Sequence, residues 1–503
     1  MSLAICSLAA EVTPLAKTGG LADVASALTR LLQTQGHDVR LFMPFYSLID
    51  RRTLEIYAVD SLRGVPVELG PHRYSFDAHT ARLPSSRSYL YLLECPPLYS
   101  RARLYTNDVD EHLRFLAFTR AALECCRRMR WRPDIVHCHD WHAAFAPLLL
   151  KSTYAADAHL GSAKSVLTIH NIGYQGEFGP DTADALALGP NAHLLHQDDL
   201  RAGRVNALKH GILYADAITT VSPTYSREIR TPAYGMGLEA TLNARGDAVL
   251  GILNGVDYAE WDPRWDKHLP RNFGMYELER KAELKREFLS RYSLEPAADR
   301  TPLFGIVSRM TSQKGFDLLR DTLPELLAVR DARLAVLGSG EPQYERVFAE
   351  LAERFPQRVL YRNGYDEPLA HWIEGASDVF LMPSRYEPCG LNQMYSLRYG
   401  TIPIVRNTGG LADSVQHFDP ITGRGTGILF NDFDANAMRW ALDQAFDWYA
   451  DPLLWEKLMR NAMRADFSWE RQGAEYVRLF ERLARGATQP TARSVHPAGA
   501  ISA

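Results

Sequence analysis

Six residues occur twice in this chain, once near each end: Thr18-Gly19-Gly20-Leu21-Ala22-Asp23 and Thr408-Gly409-Gly410-Leu411-Ala412-Asp413. Each copy follows an apolar run short enough to be a buried strand, Leu3-Ala4-Ile5-Cys6-Ser7-Leu8 in the first case and Ile402-Pro403-Ile404-Val405 in the second. After the first copy Leu21, Val24, Ala25, Leu28 and Leu32 recur at helical spacing. The order is strand, glycine turn, helix. Its recurrence predicts two similar α/β halves facing one ligand rather than a repeat array. Paired glycines let backbone N–H groups approach that ligand, and a helix start carries positive dipole charge suited to an anion. Lys17 adds a mobile point charge at the mouth of the turn. Taken alone, the same turn also reads as a tight strand-to-helix connection.

At 503 residues the chain exceeds what one core supports, so at least two domains are expected. A net charge of −4 gives no reason to expect nucleic acid or an anionic membrane as partner. The six cysteines (6, 95, 125, 126, 138, 389) show no C-x-x-C spacing, which suits reduced thiols. No basic residue precedes Lys17, the first apolar run is too short for a signal peptide, and no stretch is apolar enough to span a membrane. A cytoplasmic location is the expectation.

Strands are expected at 39–43, 89–93, 135–138, 166–169 and 217–221, with a helix over 111–130 and Ser222-Pro223 as a helix start. Residues 51–110 are less regular, with short β-like runs. The rhythm changes near Asn254-Gly255-Val256-Asp257, and a segment bearing Trp261, Pro263 and Trp265 reads as a crossover between domains. Strands resume at 303–307, 333–338, 359–361, 378–382 and 401–405, each followed by a helical pattern. Parallel, doubly wound sheets follow from this alternation, and ligands then sit outside the carboxyl ends of the strands. The expected domains are 1–253, 254–466, a helix over 467–486 that could cross back to the first domain although the sequence alone does not require it, and a disordered tail, 487–503.

The polar residues just after strands are therefore the candidates. His137-Cys138-His139-Asp140-Trp141-His142 packs three histidines and an aspartate together. Strand alternation puts His137 and His139 on one face and Cys138 on the other, which works against a single metal ion. The other reading is a sugar-binding strand end, with Asp140 accepting from hydroxyls and Trp141 supporting the pocket. His170, at the tip of Thr168-Ile169-His170-Asn171, is a candidate for the reacting centre. Arg309 and Lys314 lie in a loop between strand and helix, placed to clamp one diphosphate with a planar fork and a point charge; a solvated basic loop is the alternative. In Glu387-Pro388-Cys389-Gly390-Leu391, before a helix expected from Gly390, Glu387 can accept from a sugar hydroxyl. No base accompanies Cys389, which is read as a wall residue.

Together these stretches, in this order, resemble bacterial glycogen synthase and plant starch synthase, retaining glycosyltransferases of the GT-B fold. The resemblance runs from Lys17 to about Trp469. It implies two Rossmann-like doubly wound domains facing a deep cleft, the first on the acceptor side and the second on the nucleotide-sugar side. It implies α-glucosyl transfer from ADP-glucose to the 4-hydroxyl end of an α-1,4-glucan such as glycogen, with neither metal nor pyridoxal phosphate as cofactor. By the same resemblance Asp140, His170, Arg309, Lys314 and Glu387 form the reacting centre. Lys17, Gly19, Gly20, Asp23, His139, Trp141, Asn254, Cys389, Gly390, Leu391, Tyr395, Thr408 and Gly409 bind substrates. The wider fold often carries a second glutamate eight residues after the first. Tyr395 stands there instead, which implies a different nucleotide contact.

Rival readings are a glucan phosphorylase, which needs pyridoxal phosphate on a lysine, a glucosyltransferase with another nucleotide sugar or a small acceptor, and a non-catalytic two-lobed sugar-binding protein. The sequence leaves oligomeric state open.

Overall fold

The computed structural model describes residues 1–84, 86–297 and 301–486; the tail expected to be disordered, 487–503, lies outside the described residues. The first half builds a sheet whose parallel strands are β1 (Ala4–Leu8), β2 (Asp38–Pro44), β3 (Tyr89–Glu94), β4 (Ile135–His139), β5 (Lys164–Ile169), β6 (Ala217–Thr220) and β7 (Val249–Gly251). Their spatial order is β3-β2-β1-β4-β5-β6-β7. β4 and β6 are buried along their whole length, as parallel strands covered on both faces must be. The irregular region after β2 adds an antiparallel edge: His72–Arg82 pairs with β3, Val65–Leu69 and Tyr57–Ala58.

The second half repeats the plan with β8 (Leu303–Val307), β9 (Arg333–Gly338), β10 (Val359–Asn363), β11 (Val379–Met382), β12 (Ile402–Arg406) and β13 (Ile428–Phe430). They lie in the order β10-β9-β8-β11-β12-β13, all parallel. In each sheet the winding reverses once, between β1 and β4 and between β8 and β11. A doubly wound sheet opens a crevice at that reversal, outside the carboxyl ends of the strands. The loops after β1, β4, β8 and β11 carry Lys17, Asp140, Arg309 and Glu387 respectively.

The chain passes between the halves twice, and the two passages are tied together. Val256 N–H donates to the Phe467 carbonyl at 2.7 Å, and a Cβ on Gly255 would come within 2.7 Å of the Trp469 ring. The helix Trp469–Ala484 then packs Trp469, Tyr476, Leu479 and Phe480 with Val24, Leu28 and Leu31 of the helix Gly20–Thr34.

Most boundaries fall within two residues of the sequence expectation, as for the helix Glu111–Arg128, and one of the differences bears on the site. The helix expected from Gly390 runs Asn392–Arg398, because Gly390 takes a left-handed φ of +72° that no helical residue adopts.

Candidate active site

A cavity of about 1040 Å³ lies where the carboxyl ends of the two sheets face each other. Glu11, Lys17, Gly19, Gly20, Asp23, Asp140, Trp141 and His170 line it from the first half. Arg309, Lys314, Glu387, Cys389, Gly390, Leu391 and Tyr395 line it from the second, and Asn254 from the crossover. Among the expected site residues, His139, Thr408 and Gly409 are not on its wall.

The three cations differ in how they are held. Lys17 Nζ is 2.9 Å from Asp23, and Lys314 Nζ is 2.5 Å from Glu387 Oε2. The loop that carries Lys314 can reach Glu387 because Gly315 turns at φ +75° against the Pro383 carbonyl, where a Cβ would sit only 2.0 Å from the oxygen. Arg309 is exposed, and among the described residues its guanidinium has no carboxylate partner. The cavity wall therefore offers one free fork and two ammonium groups, each already paired with its own carboxylate.

Asp140 directly follows β4 with a left-handed φ of +55°, an uncommon conformation for a residue other than glycine and one concentrated at functional sites. Its carboxylate accepts the His170 N–H at 2.7 Å and also bonds the Asn171 N–H. Burial outweighs those bonds and raises its pKa to about 7. Behind it runs a relay of rings. His170 Nε2 is 2.9 Å from His139 Nδ1, and His139 Nε2 is 3.4 Å from Ser7 Oγ. Burial lowers His139 to about 3 and His170 well below the usual imidazole range, so the relay is neutral. His139 is thus a support behind His170, not a wall residue. His137 bonds Thr168 Oγ1 at 2.6 Å, so ring nitrogens of His137, His139 and His170 are engaged with protein partners, whereas the buried Nδ1 of His142 has none.

The second copy of the hexamer does other work than expected. Thr408 Oγ1 and Gly409 N–H both donate to Glu228 Oε1, at 2.8 and 3.0 Å, and Asp413 accepts from Thr224 N–H and Oγ1. Glu228 and Thr224 belong to the first half, so these residues latch the halves together away from the cavity. Gly410 N–H also donates to the Glu387 carbonyl at 3.0 Å, bracing the Glu387 loop from behind. In the first copy Thr18 N–H and Gly19 N–H point at the Glu11 carboxylate, which Thr18 Oγ1 and Tyr105 hold at 2.7 and 2.6 Å. Those two amides are therefore not free for an anion, although no protein atom lies within 4 Å of where a Gly19 Cβ would stand.

The starch synthase catalytic domain model matches residues 4–244, and the model for glycosyl transferases group 1 matches residues 294–462. Glycogen synthase of Koribacter versatilis is 42% identical over 95% of this chain and 98% of its own length. Glycogen synthase of Thioalkalivibrio sulfidiphilus is 44% identical over 94% and 98%. The chain belongs to the glycogen synthase family. The catalytic domain of starch synthase IV from Arabidopsis thaliana, bound to ADP and acarbose, superposes with a TM-score of 0.90 at 35% identity, over 96% of this chain and all of that one. A sucrose-phosphate synthase from Thermosynechococcus elongatus, at 17% identity and a TM-score of 0.60, shares the fold alone. This member of the glycogen synthase family is a glycosyltransferase with the GT-B architecture.

Two parts of this glycogen synthase family member's site escaped sequence reasoning. Glu11 sits between β1 and the glycine turn, buried beside backbone amides, and a carboxylate in the loop directly after a strand was the available signal. Trp261, read only as part of the crossover, stacks face to face on Tyr395 with ring centres 4.0 Å apart and 2° between planes. It also stacks on His371, with ring centres 3.7 Å apart. Cys389 is buried and its thiol is pushed up to about 12, which removes it as a nucleophile at neutral pH. Among the described residues the one group arranged to hold a metal ion is His268, Glu367 and His371, outside the cavity wall.

Proposed function

We propose that the protein transfers an α-D-glucosyl group from ADP-glucose to the 4-hydroxyl at the non-reducing end of an α-1,4-glucan, with retention of configuration and release of ADP. The observation that carries this reading is the meeting of Lys17 from one sheet with Arg309 and Lys314 from the other on the wall that also holds Asp140 and Glu387. Relatives named glycogen synthase and a neighbour holding ADP and acarbose support it.

In this scheme Arg309, Lys314 and Lys17 stabilise the charge that develops on the leaving diphosphate, a preorganised effect worth about 3–4 kcal/mol per group. A diphosphate leaves without a strong general acid, so a glycosidase-type carboxylate pair is not needed. Side-chain cations take the place of a divalent ion at the diphosphate, and no pyridoxal phosphate takes part. Asp140 and Glu387 accept from glucose hydroxyls. The acceptor attacks from the face the diphosphate leaves, with the His170 carbonyl beside the oxocarbenium-like carbon. The halves close around the crossover and exclude water that would hydrolyse the donor. Among the described residues no helix is long and apolar enough to cross a membrane, and we place the reaction in the cytoplasm.

The test measures nucleotide release from ADP-glucose and from UDP-glucose, each with and without glycogen. Glycogen-dependent ADP release, faster than UDP release, is expected. Absence of glycogen dependence with both donors would overturn the reading, and a trapped covalent glucosyl-enzyme at Asp140 would overturn the same-face mechanism.

A further inference from the structure

Outside the cavity, behind the Trp261–Tyr395 wall, three side chains converge without satisfying one another. Glu367 and His371 stand four residues apart on the helix Glu367–Ala376, hence on one face, and His268 approaches from the crossover segment. Their nearest ligand atoms lie within 4.8 Å of one another, with His268 Nε2 3.9 Å from Glu367 Oε1 and the two imidazole centres 4.5 Å apart. His371 is completely buried, yet its Nε2 has no hydrogen-bond partner; neither has the buried Nε2 of His268. Two orphaned ring nitrogens in one pocket call for a shared ligand, since an unmade bond at a buried polar atom costs about 1–3 kcal/mol.

The surroundings fix which atoms are offered. Asp266 Oδ2 accepts from His371 Nδ1 at 2.7 Å and from the Tyr399 hydroxyl at 2.5 Å, and Oδ1 accepts the His268 N–H at 2.8 Å. One carboxylate therefore sets the His371 tautomer, turning its Nε2 lone pair outward, and anchors the backbone of His268. A carboxylate on the far nitrogen of an imidazole is the usual outer support of a metal-ligating histidine.

We propose that His268 Nε2, His371 Nε2 and a Glu367 carboxylate oxygen bind a divalent ion of the zinc class, with water as the fourth ligand. Two imidazoles and one carboxylate suit zinc rather than magnesium or calcium, which prefer oxygen donors. Bonds of about 2.0–2.2 Å in tetrahedral geometry put ligands roughly 3.4 Å apart. Glu367, 45% exposed, is free to swing in and close the remaining distance. The ion takes no part in glucosyl transfer. It clamps His371, and through the stack holds Trp261 and Tyr395 in place.

The experiment titrates the full chain, first treated with chelator, with zinc chloride alone by calorimetry, and follows thermal unfolding alongside. One equivalent bound at micromolar affinity or tighter, with a rise in Tm, is expected. His268→Gln and Glu367→Gln should each weaken binding by about tenfold or more and abolish the Tm rise. Both positions are partly exposed, so unchanged Tm without metal confirms that the variants fold. Magnesium chloride should give no binding. Failure of the wild-type chain to take up zinc, as when a water bridges the two nitrogens, overturns the proposal. So does uptake that neither substitution reduces, because the ion then sits on other histidines.

Discussion

Lys314 Nζ and Glu387 Oε2 are 2.5 Å apart, with the side chains 18% and 5% exposed, so the cation proposed to meet a diphosphate is also the counter-charge of a buried carboxylate. Ser384 Oγ, 3.1 Å from the same oxygen, completes its bonding. In the proposed scheme Lys314→Ala removes a phosphate ligand and leaves Glu387 uncompensated at once. Turnover should fall by about 10²–10³-fold, and Tm should fall because an unpaired buried charge is costly. The double variant Lys314→Ala, Glu387→Gln should regain most of the Tm and none of the turnover. Steady-state ADP release and thermal unfolding on the two proteins separate these effects; recovery of turnover in the double variant would show that Lys314 matters only for packing.

Arg309 presents the opposite case. It is exposed and lacks a carboxylate partner among the described residues, so Arg309→Ala should leave Tm nearly unchanged, within about 0.5 kcal/mol of stability. ADP affinity measured by calorimetry should drop at least about tenfold and respond less to added salt than in the unaltered protein. Arg309→Lys should recover part of the loss, since an ammonium keeps the charge but not the fork. Equal ADP affinity in the alanine variant would remove Arg309 from the diphosphate site.

Much of this was legible in the sequence, for a physical reason. Parallel strands are buried on both faces and read as apolar runs, and the doubly wound plan forces ligand groups into the loops directly after them. Asp140, His170, Arg309 and Glu387 could be found by walking to the end of each run. What sequence does not carry is the surroundings of a motif. Thr18-Gly19-Gly20 and Thr408-Gly409-Gly410 are the same letters, yet the first lies on the cavity and the second against Glu228 and the Glu387 loop. His268 and His371 are far apart in the chain and meet only because Asp266 holds both.

The two glycine turns should respond differently to a methyl group. At Gly19 the backbone is extended, with φ −163°, and nothing lies within 4 Å of the added Cβ. Gly19→Ala should fold with unaltered Tm and raise the KM for ADP-glucose, because the methyl group occupies space reserved for the donor. At Gly410 the Cβ would come 2.2 Å from the Cys389 carbonyl oxygen and 2.4 Å from its Cα, backbone atoms that yield only if the loop shifts. Gly410→Ala should cost about 1–3 kcal/mol of stability and displace Glu387, lowering kcat as well. An unaffected KM in Gly19→Ala would mean that the donor keeps its distance from the first turn.

Asp140 makes stability and activity oppose each other in a pH-dependent way. Its carboxyl is raised by burial from the ordinary aspartate value of 3.8 to about 7 in the folded chain. Between those values the folded state holds a proton that the unfolded state has lost, so stability falls as pH rises through the window and stays reduced above it. The full difference is on the order of 4 kcal/mol. Asn tolerates the left-handed φ of +55° and keeps a carbonyl oxygen for a backbone N–H, so Asp140→Asn removes the charge with little else. The variant should unfold at higher temperature than the unaltered protein at pH 8, with the gain shrinking to nothing near pH 4, while its turnover is sharply reduced. Binding of a glucose-bearing donor should also release protons at pH 7, read as a dependence of the calorimetric heat on buffer ionisation, because sugar hydroxyls donating to Asp140 favour its charged form. A gain in Tm that is the same at pH 4 and pH 8 would show that the carboxyl does not carry this charge penalty.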